Sequence, residues 1–353
     1  MEPLWQLCYD GQVERATGAL RDGASVNSAN DKGETALMLA ITNKHNEIAK
    51  LLLEQPDIEV NKREDEGRTA LHFAAQENNI QGLQMLLENR QVDVNCQDND
   101  GQTALIDAAA NNSAETMQLL LSNQQTNVNL KDHDGWTALH NAAAENNVEA
   151  MQLLLENQQT DVNCQHNSGS TALIVAAANN SADAMRLLLA NQQVDVNCQD
   201  NEGATALIIA ADSNHAEAIG LLLQNQKVDV NLKDNDGNSA LLYDTNNVVT
   251  MELLLANQQT DVNSTNNAGN TALHIAANKN NVELIRMLLT HPRFNSANHI
   301  NAEGLSAVMI ATEGQKDNAL KELVGHQSVD FDILDILVRR ERRFVALFCF
   351  NTV

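Results

Sequence analysis

The sequence carries ten histidines, five cysteines and 47 Asp and Glu residues, the groups from which a catalytic or metal site would be built. Their spacing argues against one. His72, His140 and His274 recur at one place in a repeated T-A-L-H, while His45 and His215 follow a predicted break between helices. His133 and His166 fall on separate predicted loop tips, with no partner at ligand spacing. The chain contains no G-x-x-x-x-G-K-[ST], no H-E-x-x-H and no paired C-x-x-C. Cys96, Cys164 and Cys198 occupy one repeat-equivalent position, so stacking spaces them by at least one repeat. Packed helices lie about 8–10 Å apart, beyond the roughly 7 Å Cα limit for a disulfide. Free thiols in a reducing compartment are the simplest reading. No catalytic residue, metal or cofactor is expected, and the chain is not read as an enzyme.

The groups that remain are carboxylates, an indole and a row of apolar side chains, and a repeated framework must position them. A glycine recurs at Gly33, Gly67, Gly101, Gly135, Gly169, Gly203, Gly237, Gly269 and Gly304, spaced by 34 residues six times, then by 32 and 35. A period in this range marks a stacked solenoid. In the unit Gly135–Ser168, Thr137 is placed to cap a first helix through Ala143. Asn146 suits a left-handed break, since Asn tolerates positive φ better than most residues. A second helix follows over Val148–Glu156, with Met151, Leu154 and Leu155 as its apolar stripe. Asn157 is expected to end that helix in the same left-handed way. Thr160-Asp161-Val162-Asn163 then runs into a hairpin-like loop.

These motifs resemble the ankyrin repeat family. The resemblance rests on G-x-T-A-L-H at Gly67–His72, Gly135–His140 and Gly269–His274. It rests also on the closing D-V-N at Asp93–Asn95, Asp161–Asn163, Asp195–Asn197, Asp229–Asn231 and Asp261–Asn263. It implies an all-α solenoid of about ten stacked helix-turn-helix units, with projecting hairpin loops and a concave binding face. It also implies that His72, His140 and His274 hydrogen-bond a neighbouring loop. The family's T-P-L-H is T-A-L-x here, and Q-Q-T or Q-Q-V replaces the usual Gly-Ala before D-V-N. Residues 4–32 form an N-terminal capping repeat. Eight repeats follow over 33–303: 33–66, 67–100, 101–134, 135–168, 169–202, 203–236, a shortened 237–268, and 269–303. A degenerate repeat over 304–335 and a divergent tail over 336–353, read as a cap or a remnant, complete the chain. In the unit from Gly237 the Ala-Ala pair is missing, so its first helix should lose about half a turn.

Composition narrows the partner. The formal net charge is −25, so nucleic-acid phosphates would be repelled and basic protein surfaces favoured. Only 3% of residues are aromatic, leaving Ala and Leu to fill the core. No apolar run approaches the ~20 residues of a membrane span, and the acidic N-terminus lacks a secretion signal. A cytoplasmic or nuclear monomer is expected.

Acidic residues recur in pairs at the loops: Asp98 with Asp100, Asp132 with Asp134, Asp200 with Glu202, and Asp234 with Asp236. Turn formation accounts for the first of each pair. The second either steers a basic partner or serves solubility. Trp136 stands where sister units carry Glu34, Arg68, Gln102 or Ser170, so it is expected to face solvent as an interface anchor; the alternative is that it covers a neighbouring loop. The residue after T-x-L-x forms a second row, including Asp107, Asn141, Val175, Ile209, Tyr243 and Ile275. In the family this position resembles the binding surface, and its apolar stretch would line a groove for an amphipathic or extended segment; intra-repeat packing is the alternative. From resemblance alone, Asn95, Asn163, Asn197, Asn231 and Asn263, in L-x5-[DE]-V-N, are candidates for asparaginyl hydroxylation, with loop bonding as the structural alternative. The expected role is a non-catalytic intracellular scaffold or adaptor. The alternative is a recognition or inhibitory subunit of a larger regulatory complex, such as a ubiquitin ligase.

Overall fold

The computed structural model describes residues 2–243 and 247–331, so the tail 336–353 and the end of the degenerate repeat lie outside the described residues. The chain divides into two compact units, Met1–Val194 and Asp195–Val353. In the first, helices pair as Leu4–Tyr9 with Val13–Arg21, Ala36–Thr42 with Asn46–Leu53, and Ala70–Gln76 with Ile80–Glu88. They continue as Ala104–Ala110 with Ala114–Ser122, Ala138–Ala144 with Val148–Glu156, and Ala172–Ala178 with Ala182–Ala190. In the second, Ala206–Asp212 pairs with Ala216–Gln224, Ala272–Lys279 with Val282–Thr290, and Ala307–Glu313 with Asp317–Val324. The repeat from Gly237 departs from this pattern. A single 3-10 turn, Ala240–Leu242, precedes Val248–Ala256, so the first helix loses more than the expected half turn. Among the described residues there are no extended strands, only isolated bridges such as Gln165 with Thr171 at the loop bases.

Each first helix is short and alanine-rich, and the alanines in its middle are fully buried: Ala108, Ala109, Ala142 and Ala143 have no exposed surface. Small side chains let the next first helix approach closely, while Met117, Leu120, Met151 and Leu154 of the second helices fill the space behind. Thr35, Thr103, Thr171 and Thr205 accept the N–H three residues on, capping their helices.

The break between paired helices falls on a left-handed residue, Asn146 at φ 53°, with Asn78, Asn112, Asn180 and Asn214 at equivalent places. Its side chain does a second job. Asn146 Oδ1 accepts the Ala184 N–H of the next repeat's second helix, as Asn112 does from Ala150 and Asn280 from Ala319. One amide thus permits the turn and satisfies a helix donor in the next layer.

Asn157 does not close its helix in the left-handed way. It is extended, at φ −75° and ψ 116°, and its Oδ1 accepts the Gln159 N–H. The helix end is satisfied instead by Thr160, whose hydroxyl donates to the Leu154 carbonyl at 2.6 Å; Thr126 and Thr260 repeat that bond to Leu120 and Leu254. A hydroxyl that reaches back six residues removes the need for a left-handed residue at the stop.

The loops are stitched to one another. His133 N–H donates to the Asp100 carbonyl and Asn167 N–H to that of Asp134; in the second unit Asn235 bonds Glu202 and Asn267 bonds Asp236. Gly135 sits at φ 82°, and a Cβ there would lie 2.7 Å from the Asn167 backbone nitrogen. Glycine is therefore required twice over, for its dihedral and for the close approach of the next loop.

Candidate functional site

The D-V-N asparagines form a ladder. Asn95 Nδ2 donates to the Gln125 carbonyl and its Oδ1 accepts the Asn127 N–H. Asn129 does the same to Gln159 and Asp161, Asn231 to Gln259 and Asp261, and Asn263 to Arg293 and Asn295. Asn197 bridges Lys227 and Asp229, and Asn163 donates to the Gln193 carbonyl. Each amide therefore spans to the backbone of the following repeat, which is the framework role open to it from the sequence.

The histidines are framework groups as well. Thr137 N–H donates to His140 Nδ1 at 3.3 Å, so that nitrogen carries no proton, and Nε2–H donates to the Ser170 carbonyl at 3.1 Å. His72 reaches Gln102 and His274 reaches Leu305 in the same way. Burial depresses all three, His140 to about 4, and each is neutral at physiological pH. His166 is not a partnerless tip. It stacks on Trp136 with centroids 5.3 Å apart and meets His140 edge-on at 5.4 Å. The sequence does not reveal this, because the three rings come from two different loops and a helix.

Trp136 is thus half-buried, and one indole face is covered by His166 rather than standing free in solvent. The residue after the loop glycine leans over the base of the next loop, and an aromatic pair there is favourable.

The loop carboxylates separate into two kinds. Asp98 Oδ1 accepts the N–H groups of Asp100 and Gln102, and Asp132 Oδ1 accepts those of Asp134 and Trp136. Asp200 and Asp234 build the same turn. Asp100, Asp134, Glu202 and Asp236 are exposed, and among the described residues their carboxylates take no hydrogen bond or ion pair.

The row on the first helices is uneven. In the first unit Asp107 and Asn141 are half-buried, but Val175 is 5% exposed and belongs to the core; its short branched side chain does not reach past its neighbours. Burial, with the Asp98 charge adding to it, raises Asp107 to about 6. In the second unit Ile209 and Ile275 are half-buried. Tyr243 is committed to its own loop, its hydroxyl donating to Asp234 Oδ2, and burial and that bond push its pKa up. Within each unit the row is broken, by Asp107 and Asn141 in the first and by Tyr243 in the second.

Among the described residues no group of His, Cys, Asp and Glu could hold a metal ion, and Cys8, Cys96, Cys164 and Cys198 are free thiols. No described helix is long and apolar enough to cross a membrane.

A family model for ankyrin repeats matches residues 4–98, 83–165, 158–234 and 239–335. The chain belongs to the ankyrin repeat family. A comparison with curated proteins finds no match. Ankyrin repeats are protein–protein interaction modules, and the surface described above is that of such a module.

Proposed function

We propose that the protein is a non-catalytic scaffold or adaptor that binds a partner with a basic surface along its loops and first-helix face. The observation that carries this reading is the second acid of each loop. Turn geometry uses Asp98, Asp132, Asp200 and Asp234, and leaves Asp100, Asp134, Glu202 and Asp236 pointing charge into solvent. With a net charge of −25, such a row raises the association rate of a basic partner and weakens with salt. Asp107, a carboxylate held in a costly setting on the first-helix face, is the added contact expected in the first unit. The exposed edge of Trp136 extends it.

The test is capture of partners from cell lysate by the wild-type chain and by a variant carrying Asp100→Asn, Asp134→Asn, Glu202→Gln and Asp236→Asn, at low and high salt. A partner held by the wild type at low salt and lost by the variant supports the reading. A partner held equally by both moves the interface away from the loops.

A further inference from the structure

Five Asp-Gly pairs occur in the chain: Asp10-Gly11, Asp22-Gly23, Asp100-Gly101, Asp134-Gly135 and Asp236-Gly237. In each, a backbone nitrogen stands next to a carboxyl group that it could attack, and glycine has no side chain to hinder the approach. The folded chain does not treat the five alike. The Asp100 carbonyl accepts the His133 N–H, that of Asp134 accepts Asn167 and that of Asp236 accepts Asn267, each at 3.0 Å. The following loop also crowds the glycine. A Cβ on Gly101, Gly135 or Gly237 would lie 2.7 to 2.8 Å from a backbone nitrogen of that loop.

Asp22 stands apart. It follows the helix Val13–Arg21, both it and Gly23 are exposed, and a Cβ on Gly23 would meet nothing within 4 Å. Among the described residues neither its carboxylate nor its carbonyl takes a hydrogen bond. The bond on this peptide is from Gly23 N–H to the Leu20 carbonyl, at 3.1 Å. Asp10 lies between the two cases. Its carbonyl takes no bond either, but its carboxylate accepts the Gln6 amide at 3.2 Å, and the His45 ring comes within 2.7 Å of a Gly11 Cβ.

We infer that Asp22-Gly23 is a site of spontaneous covalent modification, where the folded chain isomerises aspartate to isoaspartate while the three loop pairs are held back. The Gly23 nitrogen bonds to Asp22 Cγ, its proton and a carboxyl oxygen leave as water, and a cyclic imide forms. Water then adds to one imide carbonyl and breaks its C–N bond. Cleavage at Cγ restores aspartate; cleavage at the α-carbonyl leaves the main chain running through Cβ and Cγ, with a free α-carboxylate. One water is lost and one gained, so no oxidant or cofactor is needed. Ring closure requires ψ of Asp22, 4° in the structure, to turn until the nitrogen comes round to the side of Cβ. The peptide is planar, so the carbonyl oxygen swings with the nitrogen. In the three loops such a swing also breaks the bond that ties one loop to the next. At Asp22 it disturbs only the end of its own helix. The inference is independent of what the loops bind.

The test ages the full folded chain at neutral pH in heavy-oxygen water, digests it, and locates isoaspartate by peptide mapping, with an isoaspartyl carboxyl methyltransferase as the probe. Isoaspartate should accumulate at Asp22 about tenfold faster than at Asp100, Asp134 or Asp236, the factor expected where ring closure must break one further hydrogen bond. Heavy oxygen should enter the same peptide. In urea the loop pairs should catch up with Asp22, because their protection belongs to the fold. Asp22→Glu, an exposed change, should abolish the modification there and leave the circular dichroism spectrum unchanged. Equal rates at Asp22 and the loop pairs in the folded chain, a loop pair ahead of Asp22, no isoaspartate at Asp22, or the same difference persisting in urea overturns the inference.

Discussion

Asp107 illustrates how one residue can work against its own fold. Its ordinary pKa of 3.8 rises to about 6 because burial disfavours the charged form and the Asp98 charge adds to the effect. The folded state therefore holds the proton more tightly than the unfolded chain does. Its contribution is favourable below about pH 4 and is lost as pH rises through about 6. The equivalent position one repeat on is Asn141, which donates to the Thr137 carbonyl, so an amide fits this setting. Asp107→Asn should stabilise the chain at pH 7 by on the order of 2 kcal/mol, with the gain vanishing near pH 4. Urea unfolding at the two pH values measures it; an equal gain at both would mean that charge is not the cause. If Asp107 contacts a basic partner, the same variant should bind that partner less well while being more stable.

At the scale of helices and turns, the paired threonines at the third position of two second helices make a sharper comparison. Thr116 donates its hydroxyl to Asn78 Oδ1 at 2.8 Å. Thr250 is as fully buried, but among the described residues its hydroxyl has no partner. Thr250 stands in the repeat from Gly237, where a 3-10 turn replaces the first helix. A buried donor without a partner costs about 1–3 kcal/mol, whereas a satisfied one contributes about 1. Thr250→Val should therefore raise stability by about 1 kcal/mol and Thr116→Val should lower it by about as much. Thermal or urea melts of the two variants should move in opposite directions; movement in the same direction would mean that methyl packing, not the hydroxyl, decides.

Much of this element-level detail was legible beforehand because it is local. Thr137 as a cap and Asn146 as a left-handed break follow from side-chain reach and from tolerance of positive φ, and both are found. The helix stop at Asn157 was not legible, because it depends on Thr160 bonding back across six residues. The stack of Trp136 on His166 and the burial of Val175 fall on the alternatives that the sequence left open, a loop-covering indole and intra-repeat packing, and the sequence did not decide between them. Variability at a position among repeats reports what the backbone tolerates, not where each particular side chain comes to rest. A groove beside Ile275 and Ile310 lies between two repeats, and a unit read by itself cannot show it.

Over the whole chain, adjacent repeats are joined within each unit by one recurring set of bonds: the loop tips, the D-V-N amides and the turn asparagines. Stability of such an array is close to a sum of repeat and neighbour contributions. Removing residues 101–134, one whole unit of the period, would place Gly135 where Gly101 stood, and the flanking repeats carry the matching half of each bond. This variant should fold cooperatively with a slightly lower melting temperature, as circular dichroism can follow. A deletion of 17 residues, half the period, should not fold cooperatively.

The ladder has a consequence for how this chain can change over generations. A junction rebuilt from the same few amides at each step does not record which copy stands on either side. Unequal recombination between copies can therefore lengthen or shorten the array in whole units, with each product inheriting intact seams. In the loops the turn-building Asp and the tip Asn are held by the frame, while exposed positions such as Asp100 and Asp134 are left to diverge within each copy. Recognition can then be rewritten one repeat at a time on a frame that need not be reinvented.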